Sequence, residues 1–394
     1  MSSVAALHAS VTEIARADWE HCLPGEAEGW DYYKACESCL TDRAHPVAVS
    51  VTRGGEVVAV APVFYLEHRV DSSLQGSARA ATNALSRVWP GLLVVRVIGL
   101  GSAYAERCHI GFAPELGMAE RNQAVAAMLQ ALEVYGAKAA IPLTVTKDLV
   151  AHDAHALHDA LDRMGYGPMQ SLPVAVLELP ATVDDYLARL SRATRKDVKR
   201  KLRKAAAVEI VTVENTSAIA GDMQRLYRMT QLRSNLDYGD LEELPPGYFE
   251  SLSQLPRGRV AVKLYRAGGK LLAFNLLFFD RDRVIDKFIG IDYELACDYD
   301  IYVLSWMENV REALRRKARY LQTGQTAYRR KIQLGSTLAP CVVYFRHQSP
   351  LTHALLRVLA RWLAFDRNDP ELRNYLGRPV GAVEWLTAMK RSRA

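Results

Sequence analysis

One segment of this 394-residue chain is written twice. Residues 47–65 read VAVSVTRGGEVVAVAPVFY, and residues 260–279 read VAVKLYRAGGKLLAFNLLFF. With Ala267 taken as an insertion, 8 of the 19 aligned pairs are identical. Each copy is an apolar run, a Gly-Gly pair and a second apolar run. Gly54–Gly55 and Gly268–Gly269 supply the positive φ angles that a tight β-hairpin requires. A hairpin repeated across the two halves of a chain predicts two related units rather than one continuous domain.

The segments after each hairpin match in order. In the first half, Leu92–Ile98 reads as a buried strand, Ala119–Tyr135 as a helix closed by Gly136, and Ala139–Val145 as a further strand. In the second half, Val284–Ile291 is the strand. Val303–Ala318 is the helix, with Asp300 as its N-cap, and Tyr320–Thr323 and Cys341–Arg346 are strands. This order predicts an α/β fold with mixed sheets, built as two similar domains. The Gly-Pro-rich passage 165–168 places their boundary near residue 170. The expected units are 1–170, 171–350 and a helical tail over 351–394. The tail's amphipathic stretch Leu351–Phe365 is expected to pack on the second domain, with contact to a membrane surface the less favoured alternative.

Several classes of protein are excluded. The longest apolar run, Leu271–Phe279, is interrupted by Asn275 and is too short to span a bilayer. The first twenty residues lack a basic flank followed by an apolar core, which reads as no secretory signal. Six cysteines are too sparse for a disulfide scaffold, and the single CxxC (Cys36, Cys39) has no partner pair, so a reduced, cytoplasmic protein without structural zinc is expected. His152, His155 and His158 are spaced as a surface helix and not as a metal site.

The charge is concentrated. The net charge is +6, yet residues 189–204 hold nine basic residues against Asp197 alone, a local +8 that leaves −2 for everything else. Residues 186–206 read as one amphipathic helix with Lys and Arg over one face. Self-repulsion of this density favours an anion-binding face, with Arg195, Lys196 and Lys199 as candidate contacts for a phosphate-bearing or acidic partner.

Paired α/β halves, the basic stretch SRATRKDVKRKLRKA and the later stretch GQTAYRRKIQLG (Gly324 to Gly335) together resemble the FemAB-like acyltransferases of the GNAT superfamily. The resemblance covers roughly residues 30–348. It implies tandem GNAT folds and transfer of an acyl or aminoacyl group to the amine of a small molecule or peptide. The implied co-substrates are acyl-CoA, acyl carrier protein or aminoacyl-tRNA, with no tightly bound cofactor. Residues 205–235 are too short for the long helical hairpin of the tRNA-using branch, which favours a thioester donor. The usual pyrophosphate signature has one literal match, Arg96, Gly99 and Gly101, and it reads as a strand end.

Amide formation needs a proton acceptor, an oxyanion donor and an acid for the leaving group. Asp286 and Lys287 lie in an otherwise apolar strand and by alternation face opposite sides of the sheet. Asp292 and Tyr293 follow its C-terminal end, where α/β sheets place ligands. The resemblance adds Tyr328 as a leaving-group acid, Lys331 as an anion holder and Gln325 as an oxyanion donor. His347, closing the strand 341–346, is a candidate base. The expected catalytic set is therefore Tyr328, Asp292, Asp286, His347 and Gln325. Lys331, Lys287, Tyr293 and the three basic-helix residues are expected to bind substrate or donor, with no metal. The first half is expected to serve as a scaffold. The competing readings are an aminoacyl-tRNA-dependent transferase, a non-catalytic nucleic-acid-binding module built on the basic helix, and a pseudoenzyme.

Overall fold

The computed structural model describes residues 3–40, 44–89, 91–233 and 243–376. The first half contributes strands β1 (Ser3–His8), β2 (Ala48–Arg53), β3 (Glu56–Arg69), β4 (Val94–Leu100), β5 (Gly111–Phe112), β6 (Leu143–Val150) and β7 (Gly167–Gln170). The second contributes β8 (Val174–Glu178), β9 (Glu209–Val213), β10 (Val260–Ala267), β11 (Lys270–Phe279), β12 (Arg283–Ile291), β13 (Tyr320–Gln322), β14 (Thr337–Ala339) and β15 (Cys341–His347). Both duplicated hairpins are present, β2–β3 and β10–β11, each turning through its Gly-Gly pair at positive φ.

The sheets have the same plan. One runs β1-β2-β3-β4-β6-β15-β7, with β5 against β3; the other runs β9-β10-β11-β12-β13-β8-β14. In each, one parallel pair (β4–β6, β12–β13) sits among antiparallel neighbours. The sixth position is exchanged. β15, read from sequence as the last strand of the second half, enters the first sheet between β6 and β7. β8, which follows β7 after three residues, enters the second sheet between β13 and β14. Both are short apolar runs that fit either sheet, so strand composition alone does not choose between them.

Helix limits differ from expectation in informative ways. The helix Met118–Lys138 runs through Gly136, whose missing side chain lets the Ile141 carbonyl approach; an added Cβ would lie 2.8 Å from that oxygen. The basic segment is two helices, Val183–Arg189 and Arg192–Lys204. They break at Ser191, whose hydroxyl accepts from the Thr194 N–H and caps the second. The helix Pro350–Leu363 packs on β7 and β15 of the first sheet, not on the second. Residues 377–394 of the expected tail lie outside the described residues. Among the described residues no helix is long and apolar enough to cross a membrane.

The halves share a core. Tyr32 of the Trp30–Ser38 helix meets Tyr248 hydroxyl to hydroxyl at 2.9 Å and packs its ring on Phe278. Each such ring, buried, contributes ~1.5–3 kcal/mol. Beside it is a buried ionic seam. Glu26 pairs with Arg107 from the first half and Arg283 from β12, and Glu28 pairs with Lys287. Burial alone would raise the Glu26 carboxyl, but His109 and the two arginines outweigh it and hold it at about 2.

Candidate active site

β12 and β13 run parallel but pair only at Arg283–Tyr320, Val284–Leu321 and Ile285–Gln322. Beyond Ile285, β12 continues to Ile291 while β13 has ended, so the strands part and a fork opens at Asp286. On the other edge the ladder to β11 slips. Leu277 faces Asp286 and Leu276 faces Phe288, which leaves Lys287 without an opposite residue. This is a β-bulge, a device that re-aims side chains. Simple alternation would separate Asp286 and Lys287; with the bulge both border one cavity.

That cavity is about 640 Å³ and lies between the halves. Glu106, Lys147 and Asp148 reach it from the first half, and Asp286, Lys287, Gln325 and Lys331 from the second. The loop after β13 is held in left-handed backbone at Gly324 (φ +77), Thr326 (+62) and Ala327 (+48). For the two non-glycine residues this conformation costs on the order of 1–3 kcal/mol each, a strain that concentrates at functional sites. Gly324 is required twice over: its φ suits glycine, and a Cβ would land on the Glu106 carboxylate. Gln322 Nε2 donates to the other Glu106 oxygen at 2.8 Å.

Burial sets the electrostatics. It pushes the Asp286 carboxyl up to about 6, against a 2.6 Å hydrogen bond from Asn275 Nδ2 and the positive charge of Lys331. The same burial pushes Lys331 down to about 8, although Glu106 and Asp286 oppose it. Lys331 Nζ donates to the Gln325 carbonyl at 2.8 Å, and Gln325 Nε2 to the Leu172 carbonyl at 2.9 Å. Lys287 is tied to Glu28 and donates to the Tyr104 carbonyl at 2.5 Å, so it clamps the first half onto β12. Lys147 donates to Asp148 and to the Ala105 carbonyl. A carboxyl and an ammonium facing one cavity, displaced toward neutrality from opposite directions, form an acid–base pair.

Of the other expected residues, Tyr293 borders the cavity and the rest lie elsewhere. Tyr328 is fully buried outside the cavity wall, and its hydroxyl donates to the Pro173 carbonyl at 2.9 Å. This interaction anchors the left-handed loop, as expected of a phenol with a backbone acceptor in an apolar pocket. Asp292 accepts the N–H groups of Glu294 and Leu295 and pairs with Arg225, so it shapes the turn after β12. Tyr293 borders the cavity, under the Arg233 guanidinium. His347 accepts the Ser349 N–H at 3.0 Å at the far end of β15, away from the cavity. Arg195, Lys196 and Lys199 project from the basic helix without ion pairs among the described residues and do not border the cavity. On that helix only Asp197 is acidic; it binds Arg200, Lys201 and Arg330.

Among the described residues, one group of metal-ligating atoms gathers within 4.8 Å: Glu26, Glu28 and His109. Arg107, Arg283 and Lys287 already neutralise its two carboxylates, so a cation would meet net positive charge.

A family profile described as an acetyltransferase (GNAT) domain matches residues 192–331, from the basic helix through the fork to Lys331. This chain carries a GNAT acyltransferase domain. Its fold is FemAB-like: the crystal structure of FemX superposes with a TM-score of 0.51 at 12% identity, covering 79% of this chain and 90% of FemX. The putative 8-amino-7-oxononanoate synthase 2 of Mycobacterium tuberculosis, in strains CDC 1551 / Oshkosh and H37Rv, is 26% identical over 198 residues. That match takes in 49% of this chain and 25% of the relative, so the chain spans about a quarter of the length of the curated relatives it matches. The residues matched by the GNAT profile include the fork between β12 and β13 and its bulge. Sequence reasoning missed Glu106, Lys147 and Glu28, which sit in the first half far from any motif. Their one signal was charge beside short apolar segments.

Proposed function

We propose that this protein is an N-acyltransferase that moves an acyl group from a thioester donor to an amine, with the reaction centred on Asp286 at the β12–β13 fork. The observation that carries the reading is the pairing of Asp286, raised to about 6, with Lys331, lowered to about 8, on one cavity wall. Asp286 is ionised at neutral pH and takes the proton as the amine nitrogen attacks the carbonyl carbon. The C–N bond forms and the C–S bond breaks. Lys331 gives its proton to the departing thiolate, whose conjugate acid titrates near 8.5, a close match for a lysine at about 8. Asp286 then returns its proton to Lys331, and the products are an amide and a thiol. Gln325, held by Leu172, orients Lys331 through its own carbonyl.

In this reading the donor is acyl-CoA or an acyl carrier protein, and its anionic carrier meets the unpaired cations Arg195, Lys196 and Lys199. In this reading the two halves, divided near residue 170, act together, because Glu106 and Lys147 of the first half border the same cavity as the reacting groups. Six unpaired cysteines, four of them buried, suit a reducing cytoplasmic setting. A second reading, aminoacyl-tRNA as donor, is supported by the same cations of the basic helix, of which Lys196 and Lys199 are exposed and Arg195 half-buried.

The test is donor dependence. Purified protein is challenged with acyl-CoAs, acylated carrier protein and aminoacyl-tRNA together with an amine panel, and amide is read by mass spectrometry. Amide from a thioester, insensitive to ribonuclease, supports the first reading. Amide only with tRNA, abolished by ribonuclease, replaces it with the second.

A further inference from the structure

The cavity changes character along its length. On β6 the residues bordering it are Leu143, Val145 and Lys147, alternate positions of one strand, joined by Asp148, which leaves the alternation at left-handed backbone (φ +52). With a rise of roughly 3.3 Å per residue, the wall passes from hydrocarbon to ammonium within about 13 Å. The intervening Thr144 and Thr146 turn to the other face and are buried there. The two threonines of this strand therefore enter the packed side, while Leu143 and Val145 face the cavity. β4 and β15 repeat the pattern with Val97 and Phe345, and the helix Pro350–Leu363 closes that end with Leu356 and Ala360. The polar end is the fork, with Asp286 and Lys331.

We propose that the apolar end seats an aliphatic chain belonging to one of the two substrates, with its reactive carbon or nitrogen at Asp286. The proposal rests on the acyl-transfer reading and names its substrate class. Packed protein interiors close around side chains and leave few voids. A cavity of this volume, walled by hydrocarbon and ending at an acid–base pair, matches the anatomy of a ligand site for a molecule with an apolar body and one reactive polar terminus. An acetyl group or a polar aminoacyl group would leave these walls without contacts. The chain comes either as the acyl group of the donor or as the alkyl part of the amine, and the two sources are separable.

The experiment uses the full chain and two series of probes, saturated acyl-CoAs and 1-alkylamines of two to sixteen carbons, with Kd measured by calorimetry. In the series that carries the chain, Kd falls about 4-fold per methylene, the factor equivalent to ~0.8 kcal/mol per buried CH₂, until the cavity is filled. The other series stays flat, which identifies the source. Ala360→Phe on the helix and Val343→Phe on β15 each narrow the apolar end, and each moves the break to shorter chains; thermal unfolding confirms that the variant used is folded. Flat dependence on length in both series, with acyl-CoAs still bound, overturns the chain seat and leaves acyl transfer standing. A sloped series with no amide formed from any donor supports the seat and overturns the transferase reading instead.

Discussion

Asp286→Asn should lower activity and raise stability, with a pH dependence that separates the two effects. The carboxyl is moved from 3.8 to about 6 by burial. A raised carboxylate pKa means that the folded state disfavours the charged form. The contribution of the protonated acid is fully present below pH 4 and is lost as pH rises through 6. A displacement of about 2 units corresponds to about 3 kcal/mol at most, since the side chain is partly open to the cavity. Asparagine is neutral at every pH. Urea unfolding at several pH values should therefore show wild type and variant equal near pH 4, diverging from there, with the variant more stable by up to ~3 kcal/mol at pH 8. Amide formation should fall by about 10²–10⁴-fold, the usual contribution of a general base. A variant that is destabilised at pH 8, or that keeps wild-type turnover, refutes the reasoning.

Lys331→Met should remove the alkaline limb of the rate profile: wild type slows as the ammonium deprotonates above about 8, and the variant is slow throughout without that inflection, as read from kcat against pH. Gly324→Ala should destabilise by about 1–3 kcal/mol, because it adds strain at φ +77 and displaces Glu106; chemical denaturation measures it. Glu28→Ala strands the buried Lys287 charge and should cost ~3–5 kcal/mol, whereas Glu28→Ala combined with Lys287→Met should recover much of the loss. A chain beginning at residue 171 should fail to give a cooperative unfolding transition, because β15 then has neither β6 nor β7 to join.

The hairpins were legible because a Gly-Gly pair between apolar runs has few other solutions, and their repetition made the two-domain plan legible too. The strand exchange was not. CVVYFRH and VAVLE are both short and apolar, and the partner of each is decided by long-range packing. Asp286 and Lys287 stood out as charges in an apolar strand, but the bulge that brings both to the cavity leaves no mark in composition. The GQTAY stretch drew attention to Tyr328, whereas the residues it brings to the cavity include its neighbours Gln325 and Lys331. Its contribution is the left-handed loop and Lys331, while the Tyr328 ring is packed away. Glu106 and Lys147 were invisible because a site shared between halves has no sequence spacing. The basic helix was legible as charge, and its break at Ser191 follows from a serine cap that the uninterrupted Lys/Arg pattern concealed.

The central claim, that the fork between β12 and β13 is an acyl-transfer site, is tested most directly by amine-dependent thiol release from an acyl thioester, compared between wild type and Asp286→Asn. The account predicts stoichiometric thiol and amide from the wild type and a loss of at least about 100-fold in the variant, folded and unfolding at higher urea at pH 8. Equal release from both proteins would place the chemistry elsewhere.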